Sequence, residues 1–319
     1  MTMRGRPEKT IDRLRRGSGG PKGVLAAVFS REGIFTGAVT IAGYAVLASV
    51  VLIFYFIISR TLPLFEYQSL WSFLTETRWL SVSTPPVFGI VPHLVGSLWI
   101  VGWALLLGVP VGLGVAVYIA EMASPGVRVL ARTLLGTLAG IPSVVYGILG
   151  LLVLGPRVAN LFSLPTGLTG FTAGTVLALM IVPTVATLAE ESILAVPGEY
   201  REAALALGAT PFTAFWSVVW PAASSGLTAS VLLASGRALG ETMTVLMVGG
   251  GRLAVPQSLF VPMRTMTATL AAEINNASQY GVQYNALFGL GAVLFVITLF
   301  ITTVTDILLH RARRGRGSL

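Results

Sequence analysis

Long apolar runs broken by short polar or Pro/Gly-rich stretches set the plan of the chain. A helix that crosses a bilayer needs about 20 mostly apolar residues. Six runs meet that length: Gly33–Ile58, His93–Ala120, Val129–Leu154, Leu168–Ala189, Ala222–Val248 and Tyr284–Leu309. The pattern predicts an all-α polytopic membrane protein with six transmembrane helices. The apolar stretch of the first run is about 25 residues, against about 7–15 in a cleaved signal peptide. It therefore reads as a retained helix. The expected organisation is a basic tail over 1–32, the first helix with its external loop over 33–92, a membrane core over 93–309 and a second basic tail over 310–319.

Composition agrees with this plan. Apolar residues are 54% and charged residues 11% of the 319-residue chain, against about 25% charged in an ordinary soluble domain. There is no cysteine, so disulfides, thiol catalysis and cysteine metal sites are excluded. The net charge of +8 is concentrated beside the membrane spans, which argues for lipid headgroups and topology rather than nucleic acid. Eight Lys/Arg residues lie in Met1–Glu32; Arg128, Arg132, Arg201, Arg311, Arg313, Arg314 and Arg316 bring that side to fifteen. Arg60, Arg78, Arg157, Arg252 and Arg264 make five on the other, with Arg237 inside a span. Lys and Arg accumulate on the cytoplasmic side. Both tails and the loop between the fourth and fifth spans are expected there. The long external loops, about 59–92 and 249–283, contain Trp71, Trp79 and several prolines; these aromatics read either as interfacial anchors or as part of a docking surface.

Residues 201–221, REAALALGATPFTAFWSVVWP, interrupt the apolar pattern between two spans. Polar helix formers in such a gap predict a helix in water at the membrane face. Pro197-Gly198 breaks the chain. Glu199 and Glu202 then suit the positive end of a helix dipole, and Ala203 to Leu207 are good helix formers. Gly208 can take the left-handed conformation that ends the helix. Small alanines leave a shallow surface suited to a groove on a partner; the alternative is a connecting helix that touches only lipid headgroups.

Other polar positions lie within the spans. Arg237 and Glu241, four residues apart, are expected on one helix face, well inside the hydrocarbon. A charge at that depth costs about 3 kcal/mol or more. Such a pair either lines a water-filled path, where an oxyanion competes with Glu241 for the guanidinium, or forms a structural ion pair. Gly236 and Gly240 flank it at small-xxx-small spacing. Pro142 with Ser143 in the third span, and Pro183 with Thr184 in the fourth, predict kinks; these line the path or are ordinary kinked packing. His93 and His310 have no ligand-spaced partner, so no metal site is expected. A phosphate-cradling loop needs Gly-Lys followed by Ser or Thr. The only lysines are Lys9, after Glu8, and Lys22, after Pro21, so ATP hydrolysis is not expected on this chain.

The order Glu202-Ala203-Ala204, Gly208, Val218, Trp220-Pro221 resembles the loop by which permease subunits of bacterial binding-protein-dependent ABC importers grip their ATPase. Val218 and Trp220 stand where that pattern commonly has Ile and Leu. Four further stretches, Phe88–Ile100, Val109–Ala123, Ala139–Gly147 and Gly236–Gly250, make the chain similar to the PstC permeases of phosphate-specific importers. The resemblance runs from Phe88 to about Thr305. It implies the type I ABC importer permease fold with a cytoplasmic coupling helix, in the bacterial inner membrane. It implies a phosphate path involving Arg237, Glu241, Ser143 and Thr184, and ATPase contact through Glu202, Ala203, Ala204 and Gly208. It further implies a PstA-like second permease, a PstB-like ATPase dimer carrying ATP and Mg, a PstS-like external phosphate-binding protein and no cofactor on this chain. Alternatives are import of another oxyanion or small solute, transport without ATP, or a non-transporting scaffold.

Overall fold

A computed structural model describes residues 31–279 and 281–314. The tail charges from Arg4 to Lys22, together with Arg316, lie outside the described residues. The chain divides into two units, Met1–Ser59 and Arg60–Leu319. Helix α1, Arg31–Thr61, accounts for what is described of the first unit. Its hydroxyls bond to its own backbone: Thr40 Oγ1 donates to the Thr36 carbonyl and Ser49 Oγ to the Ala45 carbonyl, each at 2.8 Å. That satisfies both hydroxyl donors within the helix itself.

The second unit opens with two short helices, α2 (Leu64–Tyr67) and α3 (Leu70–Thr75). A two-stranded ribbon follows: β1 (Trp79–Leu80) pairs antiparallel with β2 (Val87–Phe88), with Trp79 opposite Phe88 and Leu80 opposite Val87. Five helices come next: α4 (Val91–Val117), α5 (Pro125–Gly140), α6 (Ser143–Leu149), α7 (Gly155–Leu161) and α8 (Gly170–Leu194). The remainder are α9 (Gly198–Ala206), α10 (Pro211–Ala214), α11 (Trp220–Gly240), α12 (Met243–Val248), α13 (Met266–Glu273) and α14 (Val282–Arg314). π-helical turns at Tyr118–Met122, Gly150–Leu154 and Phe215–Val219 extend α4, join α6 to α7 and join α10 to α11.

Six helical runs among the described residues are long and apolar enough to span a membrane, as the hydrophobic pattern predicts. Two differ most from the expected bounds. The third runs over Ser143–Leu161, because the chain breaks at Ile141-Pro142 and Pro125–Gly140 is a separate helix. Proline lacks an amide hydrogen and pushes the residue before it out of the helical region; Ile141 is extended, at φ −66 and ψ 127. The fifth starts earlier, at Pro211, and ends at Gly240, after which Glu241 is extended at φ −67 and ψ 126.

Helices α4 and α8 lie along each other at the centre of this unit, with α11 and α5 packed on α8. The register follows from a ladder of small buried residues on α4, Ala104, Gly108, Gly112 and Ala116, at four-residue spacing. Such a ladder lets two backbones approach closely, and Ile181 and Val185 of α8 fill it. At one end, Leu64, Phe73, Trp79 and Phe88 pack with Met266, Leu287 and Leu290. Trp79 is fully buried there, and its Nε1 donates to Glu273 Oε2 at 3.1 Å. It is thus neither an interfacial anchor nor a docking residue, whereas Trp71 is exposed. His93 is buried beside it and shares a hydrogen bond of 3.0 Å with Thr269 Oγ1.

Candidate functional site

The two breaks in the spans meet. Thr244, in the first turn of α12, donates its hydroxyl to the carbonyl of Ser143, the first residue of α6, at 2.9 Å. The same oxygen lies 3.3 Å from Met180 Sδ on α8, one turn before Thr184. Helices α6 and α12 are close enough that a Cβ on Gly147 would sit 2.7 Å from Met247 Sδ. Only glycine allows that approach without displacing the methionine.

Arg237 and Glu241 flank the break but do not pair among the described residues. Arg237 lies in the last turn of α11, where a cation suits the helix dipole. Its side chain is exposed, and Nη1 donates to Thr184 Oγ1 of α8 at 3.0 Å. Glu241 lies past the end of the helix, so the expected shared face does not exist. Its Oε1 accepts the Thr244 amide at 3.1 Å and its carbonyl accepts the Thr267 hydroxyl of α13 at 2.8 Å. Glu241 caps α12 and ties it to α13, while the arginine stands beside a neutral hydroxyl. The continuous span expected around Arg237 is corrected too: the helix ends one turn beyond it. Of the four path residues, Arg237 thus touches Thr184. Ser143 joins Glu241 through Thr244, a residue whose role no spacing in the sequence signals.

At the other end, α9 forms where the Pro197-Gly198 break and the alanine run predict it, and it buries no residue. Gly208 has φ +85; its amide donates to the Leu205 carbonyl at 2.9 Å and the Ala209 amide to the Ala204 carbonyl at 3.1 Å. These two bonds satisfy the carbonyls left over at a helix end in the Schellman arrangement. Glu202 and Ala203 are exposed, Ala204 half-buried and Gly208 exposed, so the four lie along one accessible segment. Leu207, 90% exposed, adds an apolar contact that nothing in this unit covers. Thr210 accepts the Thr213 amide at 3.2 Å and starts α10. Beyond it Phe212, Phe215, Trp216 and Trp220 form a chain of ring contacts with centroids 5.0–6.1 Å apart.

Charged residues near α9 also make contacts that the sequence reading did not single out. Arg201 of α9 is ion-paired with Glu121, in the π-turn that ends α4. Arg128 donates from Nε to the Ile119 carbonyl at 3.0 Å and from Nη2 to the Ala120 carbonyl at 3.1 Å. Arg132 pairs at 2.8 Å with Glu190 of α8, whose side chain is 3% exposed. The carboxylates were legible only as isolated acids at span ends; their partners lie on other helices.

Comparison with known proteins places this architecture among transporters. Residues 108–315 match the family described as binding-protein-dependent transport system inner membrane component. The chain is 35% identical over 265 residues to the phosphate transport system permease protein PstC of Pasteurella multocida, covering 77% of this chain and 82% of that protein. It is 33% identical over 233 residues to the probable ABC transporter permease protein YqgH of Bacillus subtilis, covering 73% and 75%. In fold it is similar to a chain of a bacterial alginate ABC transporter in complex with an alginate pentasaccharide-bound periplasmic protein, at a TM-score of 0.58, 16% identity and coverage of 84% and 93%. A chain of the MetNI methionine ABC transporter gives a TM-score of 0.53 at 16% identity, covering 70% and 94%.

Proposed function

The chain belongs to the family of inner-membrane components of binding-protein-dependent transport systems, and on that premise we propose that it is the permease subunit of a phosphate importer driven by a separate ATPase. It is a multi-pass inner-membrane transport subunit and not itself an enzyme. The observation that carries the choice of phosphate is the 35% identity to a PstC permease across 82% of that protein. The geometry adds to it. Arg237 offers planar guanidinium donors that match phosphate oxygens, with a neutral hydroxyl rather than a carboxylate as its partner.

In this reading α9 is the coupling helix and faces the cytoplasm. The excess of Lys and Arg on that side supports the orientation, as does the grouping of Arg128, Arg132 and Arg201 near α9. Arg78 and Arg264 belong to the opposite end, beside the ribbon and α13. Glu202, Ala203, Ala204 and Gly208 meet the ATPase. The partners are a PstA-like permease, two PstB-like ATPase subunits holding ATP and Mg, and a PstS-like external binding protein. Nucleotide closure of the ATPase pulls on α9 and turns the path from inward- to outward-facing. Inverting such an equilibrium from 1:99 to 99:1 takes about 5.5 kcal/mol of differential binding. Arg237 receives the anion, with Thr184 beside it, and Ser143 and Glu241 hold the two helix breaks that flank it.

The test is uptake of labelled phosphate into vesicles containing the full complex, with sulfate and molybdate as competitors. Uptake that needs ATP and the binding protein, and that excess sulfate and molybdate leave intact, is the expected result. Uptake blocked by either competitor reassigns the cargo, and uptake that follows an ion gradient without ATP overturns the importer reading.

A further inference from the structure

The charged contacts beside α9 close into a ring. Arg201 ties α9 to Glu121 at the end of α4. The wide turn that ends α4 closes with the Ala123 amide on the Tyr118 carbonyl, at 2.9 Å. The Ile119 and Ala120 carbonyls that follow are taken by Arg128 of α5, at 3.0 and 3.1 Å. Arg132, one turn further along α5, pairs with Glu190 on α8. Helix α8 then runs through Ala195-Val196-Pro197 back into α9. The Arg201–Glu121 pair, the Arg128 bonds and the Arg132–Glu190 pair each join a different pair of elements. The carboxylates in it are sheltered, Glu121 at 17% and Glu190 at 3% side-chain exposure, so water screens these pairs less than surface ones.

Helix α9 buries no residue, so apolar packing alone gives it a weak hold on the bundle. We infer that Glu121 and Arg201 are positioning residues for coupling: their ion pair, closed through Arg128 and the Arg132–Glu190 pair, makes α9 move as one body with the ends of α4, α5 and α8. The inference rests on the importer reading above and adds the route by which the pull on α9 reaches the helix that carries Thr184. Without the pair, α9 keeps its chain ends and its contacts with α10 and the Phe215–Val219 turn but loses its tie to α4, and so moves while α4 stays still.

The absence of cysteine from the chain allows a direct test. Glu121→Cys and Arg201→Cys are introduced together, the full complex is placed in vesicles, and a cleavable thiol cross-linker is added. The expected result is efficient cross-linking, with phosphate uptake rising about tenfold over the uncross-linked double variant and falling again on cleavage. A pair that does not cross-link overturns the contact, and a cross-link that stops uptake overturns the rigid body. In a parallel arm, Glu121→Arg is expected to lower uptake about tenfold while the ATPase still co-purifies, and adding Arg201→Glu to restore at least about half of it. Uptake unchanged in Glu121→Arg, or not recovered in the reversed pair, overturns the inference; should Glu121→Arg fail to assemble, the cross-linking arm decides. Failure of the unsubstituted chain to capture an ATPase at all counts against the importer reading and is seen separately.

Discussion

Arg237 donates to the hydroxyl of Thr184 at 3.0 Å, while Glu241, four residues further on, turns to the amide of Thr244. The arginine therefore reaches the junction of α8 and α11 with its charge unspent on a carboxylate of the described residues. Replacing it with Gln is expected to remove about 2–3 kcal/mol of charge-assisted contact, about thirty- to a hundred-and-fortyfold in uptake efficiency. Lys, which keeps the charge but loses the planar fork, should recover part of this. Uptake against phosphate concentration, with co-purification as the control for assembly, checks both; loss of the complex instead of uptake would mark Arg237 as structural.

Thr184→Val should free the Arg237 side chain without emptying the site. The loss of one hydroxyl acceptor for an exposed guanidinium, about 1 kcal/mol, predicts about a fivefold rise in the KM for phosphate at near-normal maximal rate. Thr184→Ser should restore the KM. A fall in maximal rate with KM unchanged would contradict the positioning role.

Gly208→Val places a β-branched residue at φ +85, where nothing but backbone strain opposes it, since no neighbour lies within 4 Å of the added Cβ. The cost is about 1–2 kcal/mol or more, and it falls on the two bonds that end α9. ATPase capture by the assembled permease pair should weaken, and Gly208→Asn, which tolerates this conformation, should do less harm. Full capture with valine would count against docking through this segment.

The Arg132–Glu190 pair is asymmetric: the arginine side chain is 50% exposed and the carboxylate 3%. Removing Arg132 strands a buried charge, at about 3 kcal/mol, whereas removing Glu190 leaves an arginine that reaches water. Arg132→Met should therefore lower the thermal stability of the purified complex more than Glu190→Gln. Equal shifts would show that Glu190 is not sheltered in the assembly.

What could be read from the sequence follows from the range of the forces involved. Local signals were sufficient for α9, since Pro197, the alanine run and Gly208 act within a few residues of themselves. Hydropathy was sufficient for six spans, because lipid-length runs are set by composition. It misplaced the ends of two of them most. The Pro142 break was visible as a proline but read as a kink, and the break after Gly240 has no proline to announce it. That second miss produced the expected Arg237–Glu241 face, which required an unbroken helix. Contacts between distant helices were not legible: Arg132 with Glu190, Arg201 with Glu121 and Thr244 with Ser143 each depend on how whole helices dock. The small-residue ladder from Ala104 to Ala116 was present as a pattern, and its spacing alone could have marked the face that α8 covers.

A helix that lends no side chain to its own protein's interior is spared the demands of folding. Apart from Arg201, which pairs with Glu121, and Gly208, which ends α9, residues 198–208 are in that position, so their identities answer chiefly to whatever binds them. Motor choice is then a portable trait, and exchanging this stretch between related permeases should transplant the preference for one engine over another while the membrane portion stays intact.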